Sequence, residues 1–149
     1  MTTMVLVLLV QGVVQAAIFA FLARRAGPRF APAMHGGLLV VAGFIYVYYA
    51  SRAGDAHGLA IEGMGTAALL ALSFVGIRRR SAGLLAAGWA LHPVWDVALH
   101  TGGIGGYAPL GYVVTCVGFD FLLAALIWKG WAGMPRASAR PAPVTSHAS

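Results

Sequence analysis

Charge is what this chain has least of. Only 9% of its 149 residues are charged, four of them acidic, where a soluble domain carries about a quarter. That excludes an ordinary water-soluble fold. Cysteine is nearly absent as well: Cys116 stands alone, so no intrachain disulfide forms and the redox compartment cannot be read from it. The first four residues, Met1 to Met4, hold no basic residue, whereas Arg24 and Arg25 follow the first apolar run. This order predicts a retained helix rather than a cleaved signal peptide. The net charge of +6 does not point to nucleic acid, because the arginines fall in short clusters between apolar runs, where membrane topology explains them.

What is present is apolar: 60% of the residues are hydrophobic and the mean hydropathy is +0.81. A transmembrane helix needs roughly 20 mostly apolar residues. Five segments meet this: Met4 to Ala23, Ala31 to Ser51, His57 to Ile77, Ala82 to His100 and Tyr107 to Lys129. The fold class predicted is all-α, a polytopic five-transmembrane-helix bundle, with residues 1–131 as the membrane domain. Residues 132–149 are rich in Pro, Ala and Ser and read as a disordered cytoplasmic tail. Arg24, Arg25, Arg29, Arg78, Arg79, Arg80, Lys129, Arg136 and Arg140 share one side and only Arg52 the other. The positive-inside rule makes that side cytoplasmic, with the N-terminus out and the C-terminus in. Short linkers predict antiparallel neighbours. Tyr46, Tyr48 and Tyr49 fit an interfacial belt at the outer end of span two, as do Trp128 and Trp131 at the inner end of span five.

Against this background, three of the four acidic residues, Glu62, Asp96 and Asp120, lie inside apolar spans; Asp55 alone sits in a polar loop. A carboxylate in hydrocarbon is costly unless neutralised or paired, and such residues usually mark a site. At 1.5 Å of rise per residue, Glu62 and Asp96 lie roughly 6–8 Å below the outer boundary and His92 and Cys116 about 12–14 Å. Gln11 stands at a similar height, Gln15 a turn deeper, and Asp120 near the midplane. His35 lies near the cytoplasmic end of span two, apart from this group, and His57 in a loop. His92, Asp96 and His100 are spaced i, i+4, i+8 and share a helix face, as do Gln11 with Gln15 and Cys116 with Asp120. These polar stripes are expected to face one another around an outward-opening polar cavity. Pro93 frees the carbonyl of Trp89 beside His92, which then needs another partner or a wet cavity.

Each group also has a plainer reading. The His92–Asp96 pair and Glu62 could knit helices together. Cys116 could be a small apolar filler. Gln11 and Gln15 could be interhelical hydrogen bonders, and Trp95 could pack or face lipid as readily as stack on a substrate.

The stretch Gly88-Trp-Ala-Leu-His-Pro-Val-Trp-Asp-Val-Ala-Leu-His100 resembles the Trp-Leu-x-His-x-x-Trp-Asp-x-x-His signature of the small bacterial integral membrane proteins grouped as DUF6010. Cys116-Val-Gly-Phe-Asp120 resembles that family's later Cys-x-x-x-Asp element, and Gly43-Phe-Ile-Tyr46 and Glu62-Gly63 are looser matches. The resemblance spans residues 4–130. Where members carry paired histidines after the Trp-Asp, this chain has His100 followed by Thr101. The resemblance supports the choice of residues, not a reaction.

Three functions are open on these residues. The first is a membrane-embedded enzyme acting on a lipid or isoprenoid-like substrate, with Asp96 or Asp120 as acid, His92 as relay or base and Glu62 as second carboxylate. Its layout is loosely similar, at the level of architecture, to sterol-isomerase-type and terpene-cyclase membrane proteins. A metal variant uses His92, Asp96, Glu62 and His100 to hold zinc or iron, as in ceramidase-like hydrolases. In either form Trp95, Cys116, Gln11 and Gln15 would line the substrate pocket. The second function is a proton- or ion-coupled transporter or sensor, although no inverted repeat is visible. The third is an accessory membrane subunit. The expected partners are the bilayer, a lipid-like molecule and a further copy of the chain.

Overall fold

The computed structural model describes residues 2–103 and 107–134. Five helices follow one another: α1 (Thr2–Ala26), α2 (Ala31–Ala53), α3 (Ala56–Arg78), α4 (Ala82–Gly102) and α5 (Leu110–Trp128). All five are long and apolar enough to cross a membrane. Four begin within two residues of the expected position. The fifth starts three residues late because Pro109 occupies its N-cap, and proline biases the preceding residue away from helical geometry. Local chemistry sets the other ends. Asp55 caps α3 by accepting from the His57 backbone N–H, placing His57 in the first turn rather than a loop, and Ser81 caps α4 by accepting from the Leu84 N–H. Gly54 ends α2 in the left-handed region at φ 71°, where a side chain would be strained. α4 continues through Pro93.

The packing order differs from the chain order. α2 packs on α3, α3 on α4, and α4 on α5, while α1 lies chiefly on α5 and touches α2 only at its edge. α1 and α5 run parallel, with Leu8 near Gly111, Gly12 near Thr115 and Ala23 near Gly133. Gly12 sits against the backbone of Thr115 and Phe119, and Gly118 against the backbone of Leu9. Small residues let the two helices approach this closely, which is how helices associate where lipid removes a hydrophobic drive.

The distribution of polarity is inverted relative to a soluble bundle. Large apolar side chains such as Leu6, Val14, Ile18, Phe44, Met64, Phe74 and Phe121 face outward, while His35, Glu62, His92, Asp96 and Asp120 are buried. The basic residues Arg24, Arg25, Arg78 to Arg80 and Lys129 gather at one end of the bundle.

The chain stays on the bundle past α5. Ala132 and Met134 are buried, and Gly133, at φ 76°, rests against the backbone of Ala23 and Arg24. Residues 132–134 of the segment expected as a tail are thus packed; the remainder, 135–149, lies outside the described residues. His35 accounts for the docking. It is fully buried rather than interfacial, its Nε2 donates to the Ala132 carbonyl at 2.8 Å, and Phe19 packs edge-on to its ring.

Candidate functional site

Side chains from four helices meet between α2, α3, α4 and α5. α4 supplies His92 and Asp96, one turn apart on its buried face, with relative exposures of 2% and 1%. α5 brings Asp120, also at 1%, and His92 Nδ1 donates to its Oδ2 at 2.7 Å. The same nitrogen lies 3.8 Å from Asp96 Oδ2. From α2, the Tyr46 hydroxyl donates to Asp96 Oδ2 at 2.5 Å and its ring stands edge-on to the imidazole. From α3, Glu62 accepts from Trp95 Nε1 at 3.3 Å. The result is a buried chain, Tyr46 to Asp96, His92 and Asp120, with Glu62 and Trp95 beside it.

Among the described residues, two spaces border this chain. The smaller is a void of about 10 Å³ lined by Tyr46, Glu62, Thr66, His92, Trp95 and Asp96 among others. The larger is a cleft of about 190 Å³ between α2 and α5, with walls that include Val41, Ile45, Tyr112, Cys116 and Phe119 and with Asp120 among them. His92 therefore stands between the two, bonded through Nδ1 to the aspartate of the cleft. Ligand atoms of His92, Asp96 and Asp120 all lie within 4.8 Å of one another, so among the described residues these three form a compact group that could hold a metal ion.

The expected convergence of Glu62, His92 and Asp96 is present, but no outward-opening polar cavity is seen around them among the described residues. Among the described residues the three meet around a void the size of a water molecule, and the wider cleft is mostly apolar. Asp120 belongs to the cluster and to the cleft at once. Cys116 and Gln15 line the cleft with it. Gln11 does not: it is exposed on the outside of α1, because α1 turns Gly12, not Gln11, toward α5. His100 is also withdrawn from the metal set. Its ring nitrogens lie 3.0 and 3.1 Å from the carbonyl oxygens of Asp96 and Ala108, so it ties the end of α4 to the following loop. Trp95 is half-buried and holds Glu62.

One residue of the site lay outside the sequence-based set. Its sequence position fits the interfacial belt with Tyr48, yet Tyr46 is 3% exposed against 59% for Tyr48. The signal was its register: Tyr46 continues the line of Gly36, Leu39 and Gly43 at helical spacing, all buried, which marks the inward face of α2.

A five-helix, multi-pass membrane architecture with a buried His–Asp–Asp–Tyr cluster is the class these features define. The chain belongs to the family described as a family of unknown function, DUF6010, which matches residues 3–133. No curated protein and no solved structure matches it.

Proposed function

We propose that this protein is a membrane-embedded enzyme that moves a proton to or from a lipid or isoprenoid-like substrate. The observation that carries this reading is Asp120: a buried carboxyl on the wall of an apolar cleft, backed by an imidazole at 2.7 Å. Proton transfer by a positioned side chain needs that pairing of donor, acceptor and substrate space. A cleft of about 190 Å³ is smaller than the pockets that enclose drug-sized ligands, so it suits one segment of a chain whose remainder lies in the bilayer. In this reading Asp120 exchanges the proton with substrate carbon, His92 holds and orients Asp120, and Asp96, fixed by Tyr46, balances charge beside the imidazole. Cys116 and Gln15 shape the cleft.

The basic end of the bundle faces the cytoplasm in this proposal, which sets the site toward the opposite face of a bacterial inner membrane.

Deuterium incorporation tests the reaction without knowledge of the substrate. The purified protein is reconstituted into liposomes of total lipid extract from its expression host and incubated in D2O, and the lipids are analysed by mass spectrometry. The expected result is a carbon-bound deuterium in one lipid class with wild type, absent with Asp120→Asn. Wild-type liposomes that label no lipid beyond protein-free controls would sink the reading.

A further inference from the structure

We propose that the void between α2, α3 and α4 is a divalent-cation site, with His92 Nε2 and Asp96 Oδ1 as direct ligands and Glu62 closing it through a water from the opposite wall. The cation site stands on geometry alone; its consequence for Asp120 rests on the catalytic reading above.

Four observations converge. The void, about 10 Å³, is the volume of one water-sized sphere, enough for a single ion or water. His92 Nε2 and Asp96 Oδ1 are buried and have no hydrogen-bond partner among the described residues, and both residues line that void. Buried polar atoms are almost always satisfied, and a single ion in the void that both residues line would serve the two.

The third observation is how the remaining atoms of these groups are held. His92 Nδ1 donates to Asp120, which leaves Nε2 as the bare lone pair. Asp96 Oδ2 accepts from Tyr46, and Glu62 Oε2 accepts from Trp95. A metal-bound histidine almost always donates its other N–H to a carboxylate or carbonyl, and bound carboxylates are themselves hydrogen-bonded. All three side chains around this void carry such an outer partner. The fourth is charge: three buried carboxylates, Glu62, Asp96 and Asp120, surround a neutral imidazole, and a divalent ion offsets much of the cost of burying them.

Mixed imidazole and carboxylate donors favour zinc, iron or manganese over calcium, which takes oxygen alone, and over soft cuprous ion, which takes sulfur. Glu62 is not in the compact group of His92, Asp96 and Asp120, which is why its role is assigned through water. With Nε2 on a cation, His92 is locked as an N–H donor toward Asp120, so the cation orients the residue facing the cleft.

The test uses the full chain in detergent, stripped with a chelator and titrated with Co2+ as a spectroscopic probe, then with Zn2+ in competition. Wild type is expected to bind about one equivalent, the capacity of a single-ion void, with visible absorption bands of a protein-bound Co2+. Asp96→Asn and His92→Gln are expected to lose it, while Tyr46→Phe and Asp120→Asn weaken it by roughly 10–100-fold. Ser73→Ala, buried elsewhere on α3, keeps full affinity and controls for loss of fold. Wild type that takes up neither ion, or ligand variants that bind as wild type does, overturn the proposal. Lipid labelling in D2O without Co2+ uptake removes the cation and leaves the catalytic reading; Co2+ uptake without labelling does the reverse.

Discussion

Asp55 and Tyr107 form a contact remote from the buried cluster, at the end of the bundle opposite Arg24, Arg25, Arg78 to Arg80 and Lys129. The Tyr107 hydroxyl donates to Asp55 Oδ2, while Oδ1 of the same carboxylate accepts from the His57 N–H and caps α3. The Tyr107 bond, and after it the backbone N–H groups at the start of α3, hold the Asp55 carboxyl below the usual carboxylate range. A group whose value is depressed on folding contributes stability that is fully present above its unfolded value and is lost as pH falls through the folded one. The thermal midpoint in detergent is therefore expected to drop as pH falls below about 4, the ordinary aspartate value. Tyr107→Phe should show a smaller drop across the same window. An identical acid profile in both proteins would remove the Tyr107 bond from the account.

At the scale of elements, the contact between α1 and α5 depends on Gly12 and Gly118, each set against the backbone of the other helix. A side chain at Gly118 meets the Leu9 backbone, which cannot move aside, whereas one at Gly111 meets only the flexible end of Leu8 at 3.5 Å. Gly118→Val is expected to destabilise the protein by about 1–3 kcal/mol, the usual cost of overpacking, and Gly111→Ala to leave it unchanged. Unfolding in mixed micelles of rising denaturing detergent reads the difference; equal loss in both variants would mean that close approach does not hold the pair. The same contact explains which parts of the fold were legible. Span number and position followed from hydropathy, because length and apolar content alone decide whether a segment can cross. Helix partners did not, because lipid-facing and buried apolar residues look alike along a chain. Gln11 was therefore placed inward and is outside, while Tyr46 was placed at the interface and is within. Glu62, His92, Asp96 and Asp120 were legible because ionisable groups in an apolar span have few places to go. Which nitrogen or oxygen of each is free depends on partners from other helices, and no spacing within one helix carries that.

For the whole molecule, the clustering of basic residues at one end predicts orientation. In a Cys116→Ala background, Ala56→Cys near Asp55 should react with a membrane-impermeant maleimide in intact spheroplasts, and Arg79→Cys only after lysis. The reverse pattern would invert the bundle and place the cluster toward the cytoplasm.

The pairing of first helix with last also bears on how the protein is made. α3, α4 and α5 can each settle on the helix before it as it leaves the ribosome. α1 has only an edge contact with α2, and its true neighbour is the final one synthesised. The earliest segment to enter the bilayer must wait there, loosely tethered, until translation is nearly over. Assembly of this protein is completed from its beginning rather than from its end.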